Sequence, residues 1–461
     1  MKEKQSFFGT VCQLAVPVAL QSMLQSSFSI VDQVMIGQLG SVSVAGVGLA
    51  SKFSSIFSVI TAAVGAVAGI MIAQYIGQEN RREVRRSFYL NLILGLLIAV
   101  AFFVPCALFS EQIMGIYTKD AATRKAAAEY LVIMTGTFLP SAAATLLSTL
   151  FRCAEKAKLP LYASVVSALL NTGLNYMLIF GKCGFAPMGT RGAALATVIA
   201  QCANVLLLLV FLGLDKKEDK EGADTLRPIA LLRHSDAESL QEEKAACFDW
   251  RQYAAMLLPM LICEGVWSIG ENVYAAIYGH MGTQASAAMT LINPIQGLMI
   301  GALCGLSQAA GVIIGKKLGS REYDEAYTAS ERLLLYGTIG SLLLSVVVIL
   351  TSSAYVQIYQ VEDAVKELTK QILLAYALVA PLKVLNMILG GGIIRSGGKT
   401  KYVMVIDMIG TWGFGVPIGL LTAFVLKLEI PYVYFLLSLE EGVRLVISYV
   451  VFRRKKWMQQ L

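Results

Sequence analysis

Residues 12–37 read CQLAVPVALQSMLQSSFSIVDQVMIG, and the fold follows from that run. It holds twenty-six residues and a single charge, Asp32. At about 1.5 Å per residue, a helix of this length crosses a hydrocarbon layer of about 30 Å. Its polar residues are ordered: Gln21, Gln25, Ser29 and Asp32 follow spacings of four, four and three. Those spacings put them on one helical face. An ionised carboxylate is costly in lipid, so a wet stripe ending in an acid is expected to face a protein-lined cavity. Asp32 is therefore the leading candidate for a working residue.

Outward from this run the design repeats. The 461 residues are 56% hydrophobic and 15% charged, against about 25% charged in soluble domains. The expected fold class is all-α integral membrane. Twelve transmembrane helices are expected near 12–37, 42–75, 86–109, 126–151, 159–181, 191–213, 252–279, 284–316, 330–355, 371–394, 402–426 and 431–452. The first run is too long for a signal-peptide core and reads as a retained span. Residues 214–250 break the pattern, with ten Asp/Glu and, counting Arg251, seven Lys/Arg. They read as a cytoplasmic linker, with a short surface helix at 235–246. Two bundles, 1–213 and 251–461, are expected on either side.

The net charge of +7 fits basic cytoplasmic loops and does not call for nucleic acid. With the N-terminus inside, inner segments hold 27 of the 38 Lys/Arg and outer segments eight. Both termini are expected in the cytoplasm, in a multi-pass protein of the cell membrane. The eight cysteines lie singly without a CxxC pair and read as small buried residues.

The chain also matches itself. A shift of 242 aligns Pro17 with Pro259, Gly37 with Gly279, Gly40 with Gly282, Gly69 with Gly311 and Gly77 with Gly319. Eleven of the 64 positions from Pro17 to Asn80 are identical, and the prolines and glycines among them make the match hard to dismiss. Two pseudo-symmetric six-helix bundles of this kind occur in secondary transporters, with the site between them and alternating access by rocking.

Other polar groups inside the spans are candidates for a cavity lining. Glu264 and Glu271 lie seven apart in the seventh span with Ser268 between them. The repeat aligns Glu264 with Ser22 and Glu271 with Ser29, while Asp32 aligns with Tyr274. Asn171 and Asn175 share a face of the fifth span, as interhelical hydrogen bonds or as polar contacts to cargo or ion. Asp407 and Lys383 could pair with each other. Glu440, Glu441 and Arg444 read as structural or interfacial. Cation coupling is assigned to Asp32 with Ser29 and Asn175, where carboxylate, hydroxyl and amide oxygens can hold a proton or a sodium ion. Cargo contacts are assigned to Gln21, Gln25, Asn171, Glu264, Ser268, Glu271 and Asp407. No GxxxxGK(S/T), HExxH or GxSxG occurs, so neither an enzyme nor a primary pump is expected, and no cofactor beyond the coupling ion.

Several stretches resemble the multidrug and toxic compound extrusion family. They are PVALQSMLQSSFSIVDQVMIGQLG, RCAEKAKLP, LLNTGLNYMLIFG, MGTRGAALAT, LPMLICEGVWSIGENVYAAIYGHMGTQASAA and IIRSGGKTKYVMVIDMIGTWGFGVPIG. The resemblance implies a V-shaped pair of six-helix bundles. It implies efflux of mostly cationic organic compounds against H+ or Na+ by a monomer. The family's first-span aspartate falls on Asp32. The place of a fifth-span aspartate in some members holds Asn175, and a tenth-span acid is replaced in PLKVLN by Lys383. A seventh-span glutamate falls on or near Glu264, and an eleventh-span acid on Asp407. A flippase for lipid-linked or oligosaccharide cargo is the alternative in the same superfamily. It would favour a basic cavity, and the intramembrane charges here are mainly acidic.

Overall fold

The computed structural model describes residues 7–182, 184–214, 228–232, 249–357, 359 and 361–461. Its elements are helical. The first half contains α1 (Phe7–Gly37), α2 (Ser41–Gly77), α3 (Arg81–Tyr117), α4 (Ala121–Met134), α5 (Phe138–Cys153), α6 (Lys158–Phe180), α7 (Thr190–Leu214) and the short α8 (Pro228–Leu232). The second half contains α9 (Trp250–His280), α10 (Thr283–Gly319), α11 (Tyr323–Gln357), α12 (Asp363–Asn386), α13 (Thr400–Met408), α14 (Val416–Leu420), α15 (Ile430–Ser438) and α16 (Glu440–Arg453). The surface helix expected at 235–246 lies outside the described residues.

Local chemistry explains the helix starts. The side chain of Asn80 accepts from the Glu83 amide, and that of Asp120 from Thr123 at 2.8 Å. Asp249 accepts from Arg251 and Gln252 at 3.0 and 3.1 Å. Each cap satisfies donors that the first helical turn leaves unpaired. Gly40 and Gly282, equivalent in the repeat, both adopt positive φ (94° and 119°) ahead of α2 and α10. The two halves thus enter their second helix through a glycine at positive φ, a conformation open to glycine.

Among the described residues, eleven helices are long and apolar enough to cross a membrane. The expected twelfth span is present but broken. The chain turns at Leu439, where Leu439 N donates to Leu436 O at 3.3 Å and Gly442 N to Leu439 O at 2.9 Å. The break immediately precedes Glu440 and Glu441, whose side chains are buried. Three stretches in the second half, Met387–Ile394, Ile409–Gly415 and Leu421–Val425, are wound as π-helix, a wider turn that recurs at functional sites.

The chain forms two compact units, Leu20–Ile72 with Asn80–Ala246, and Met1–Ala19 with Ala73–Glu79 and Cys247–Leu461. The core of the first includes Phe57, Cys106, Met114, Leu131 and Phe138. That of the second includes Ile277, Ile292, Tyr376, Val433 and Leu437. Large apolar side chains such as Leu97, Leu108, Leu343 and Leu350 are exposed, as lipid-facing positions would be.

This division departs from the 1–213 and 251–461 bundles at the start of α1 and the end of α2. Backbone contact is the reason. A Cβ on Gly305 would overlap the Ala15 carbonyl, one on Gly77 the Lys316 backbone, and one on Gly319 the Gln74 backbone. Without driving apolar surface out of water, membrane helices associate through such close approaches at small residues.

Candidate cation site and a buried charge network

The first unit holds Asp32 against α6. Asn175 Nδ2 donates to Asp32 Oδ1 at 2.7 Å, and Gln21 Nε2 donates to Ser164 Oγ at 2.7 Å. Both pairs are 143 residues apart in sequence. The two helices therefore run parallel in constant register over three turns. The α6 face that meets α1 carries Ser164, Ser167, Asn171 and Asn175, at spacings of three, four and four. Ser167 Oγ donates onward to Ala200 O of α7 at 2.7 Å.

Asn171 completes the site. With its Nδ2 turned to the carboxylate, it donates to Asp32 Oδ1 and Oδ2 at 3.0 and 3.1 Å, and its Oδ1 accepts from Thr197 Oγ1 at 3.3 Å. Asn175 is 1% exposed, and its Oδ1 has no hydrogen-bond partner. A buried acceptor without a donor is costly. Here it belongs to the amide whose Nδ2 binds Asp32. Thr197 on α7 is not among the residues that the sequence singles out; it shares its face with Ala193, Ala200 and Asn204.

Of the other residues assigned to this half, Gln21 is buried, whereas Gln25 and Ser29 are exposed. Ser29 is not among the hydrogen-bond partners found for Asp32. Lys52 is exposed as well.

The second unit holds a charge network instead. Arg444 of α16 is 5% exposed. Its guanidinium lies 3.2 Å from Glu440, 3.6 Å from Glu441 and 3.8 Å from Asp407, and donates to Thr411 Oγ1. Tyr274 Oη donates to Glu440 Oε2. Asn386 Nδ2 donates to Glu441 Oε2 at 3.0 Å and Ser448 Oγ to Asn386 Oδ1 at 3.2 Å. Cys263 Sγ donates to Asp407 Oδ2 at 2.9 Å. The pairing suggested for Asp407 and Lys383 is thus replaced by Asp407 and Arg444.

The π-helical stretch makes room for this network. A Cβ on Gly410 would overlap the Arg444 side chain, and one on Gly415 would overlap Glu440 and Tyr274. Buried charges persist only when paired and hydrogen-bonded, and the glycines allow the pairing.

Beside the network lies a cavity of about 320 Å³, lined by residues that include Glu271, Tyr274, Tyr278, Lys383, Tyr434 and Glu440. Glu271 therefore reaches a cavity. Glu264 does not line it; it faces Arg395 at 3.5 Å. Ser268 contributes its backbone carbonyl to Asn272 Nδ2 at 2.7 Å. The two seventh-span acids, expected on one face, thus have different surroundings. Asp407 belongs to the network.

Known proteins match over most of the chain. The MatE family matches residues 17–177 and 259–421, which are the two halves of the repeat. Multidrug and toxin extrusion protein 2 of Mus musculus is 23% identical over 426 residues, covering 90% of this chain and 69% of that protein. The probable multidrug resistance protein NorM of Thermotoga maritima is 22% identical over 413 residues, covering 88% and 84%. The chain spans less than two thirds of the length of several other relatives. A mutant of the Vibrio cholerae MATE transporter VcmN superposes with a TM-score of 0.84 at 16% identity, over 98% of both chains. With a match covering both halves, this chain belongs to the MatE family of multidrug and toxin extrusion transporters.

Proposed function

We propose that this transporter exports organic, mostly cationic compounds across the cytoplasmic membrane in exchange for H+ or Na+, with Asp32 as the coupling residue. The observation that carries this reading is the carboxylate of Asp32 held by Asn175 and Asn171, beside the buried, unpartnered Asn175 Oδ1. A cation arriving there finds a full negative charge and neutral oxygens around it. Its binding neutralises Asp32 and relieves the orphaned acceptor. An ion that binds one conformation better than the other shifts the population toward it by its differential affinity. Antiport follows if cargo and ion favour opposite partners of that equilibrium.

The cavity of the second unit supports a cationic cargo. Glu271, Glu440 and Glu441 line it against one lysine, Lys383, with tyrosine rings alongside. Rings and carboxylates suit flat organic cations better than a phosphate-bearing lipid. We place both termini on the cytoplasmic side, from the distribution of basic residues, and take the working unit to be the monomer. Efflux from proteoliposomes under separately imposed sodium and pH gradients tests the reading. Cargo movement should require one of the two gradients, and movement independent of both contradicts it.

A further inference from the structure

The end of α2 is held in the second unit by a short segment that follows α16. Trp457 is fully buried; its Nε1 donates to Phe452 O at 3.1 Å and its ring stacks on Phe452. That anchors the segment. The residues beyond it reach α2 through polar contacts. Gln74, also fully buried, donates from Nε2 to Ser396 O at 2.7 Å and Gln459 O at 3.2 Å, and its Oε1 accepts from Leu461 N at 2.8 Å. Gln78 Nε2 donates to Leu461 O at 3.1 Å. Gln460 Nε2 donates to Gly319 O at 2.9 Å and its Oε1 accepts from Arg321 Nε at 2.6 Å.

The contact beneath this segment is symmetric. Gly77 and Gly319 are equivalents under the 242-residue repeat, and so are Gln74 and Lys316. Gly77 lies on the Lys316 backbone, and Gly319 on the Gln74 backbone. The segment also reaches α2 directly, through backbone bonds to Gln74 and Gln78. A docking of two glycine faces alone has little to make one arrangement persist. Directional hydrogen bonds from an anchored strap give it a preferred state, and each bond is weak enough to break.

We propose that residues Gln459–Leu461 are a clip, anchored at Trp457, which holds the Ala73–Glu79 end of α2 docked and so biases the transporter toward the docked state. The remainder of α2 belongs to the other compact unit, so α2 passes from one unit to the other between Ile72 and Ala73. The proposal rests on the alternating-access reading for its purpose, but not for its test.

The test is hydrogen exchange, followed by mass spectrometry, on the full chain in lipid nanodiscs. Gln74→Met keeps volume and removes three hydrogen bonds. Exchange of the Ala73–Glu79 amides should accelerate about tenfold, since each lost bond weakens docking modestly, with α9 and α12 unchanged. Should Gln74→Met fail to fold, Gln78→Ala carries the test, with a smaller, local acceleration of about threefold. Unchanged exchange at Ala73–Glu79 in folded variants overturns the clip. A rise spread evenly over the second unit also overturns it, because that marks a general structural role. Either result leaves gradient-driven efflux, and with it the proposed coupling at Asp32, to be decided separately.

Discussion

Asn175 Nδ2 donates to Asp32 Oδ1 at 2.7 Å across 143 residues of sequence, in the same helix register that pairs Gln21 with Ser164. Asn175, with Asn171 one turn before it on α6, thus orients the only charged residue of the first span. Replacing it by Asn175→Ala should leave the fold intact and reduce gradient-driven transport about 10- to 100-fold, the range for losing a hydrogen bond to a charged group. Initial efflux rates in proteoliposomes check this, with cargo binding measured alongside. A rate equal to that of the unmodified protein would separate Asn175 from coupling.

Arg444 faces three carboxylates, Asp407, Glu440 and Glu441. Arg444→Met removes the guanidinium and leaves buried acids uncompensated, so it should cost about 3–5 kcal/mol of stability. Tyr274→Phe removes one hydrogen bond to Glu440 and should cost about 1–3 kcal/mol. Thermal unfolding in detergent ranks the two, and the arginine variant should melt well below the phenylalanine variant.

Three glycines of the π-helical stretch provide a steric comparison. A Cβ on Gly410 or Gly415 would enter the space of Arg444 or Glu440, whereas at Gly413 the nearest atom is a methyl of Ile409, 3.8 Å away. Gly410→Ala and Gly415→Ala should each destabilise by about 1–3 kcal/mol through overpacking. Gly413→Ala should be nearly silent in the same melting assay.

Glu264 and Glu271 should also part company. The Glu264 and Arg395 side chains are only 29% and 19% exposed, so Glu264→Gln, which gives the guanidinium a neutral amide in place of its carboxylate, should cost about 1–3 kcal/mol of stability. Glu271 lines the cavity, so Glu271→Gln should raise the apparent KM for cationic cargo without changing the melting temperature. Transport titrations of both variants settle whether the cavity handles cargo.

The sequence makes some of this legible and hides the rest for physical reasons. A polar stripe at helical spacing identifies the wet face of α1, because lipid tolerates no such stripe elsewhere, and the internal repeat identifies the two-part architecture. Asn175 is legible for the same reason as Asp32. Thr197 is not, since one threonine in a membrane helix is ordinary until its neighbours are known. Glu440 and Arg444, four apart, suggest local neutralisation, but Asp407 joins them from another helix and no spacing reveals that. The π-helical turns that admit Arg444 are also hidden, because glycines at 410, 413 and 415 are compatible with an ordinary membrane helix. The docking of α2's end on α10 is half visible. Gly77 and Gly319 stand out in the repeat, but their contact with each other's helix is a tertiary fact.

The proposed coupling turns on Asp32. The direct measurement is cargo efflux from proteoliposomes carrying Asp32→Asn, driven in turn by an imposed sodium gradient and an imposed pH gradient. The expected result is that the variant folds and binds cargo, yet neither gradient drives efflux above the leak seen without a gradient. Efflux that still follows either gradient at the rate of the unmodified protein would contradict the assignment and move the coupling site elsewhere in the chain.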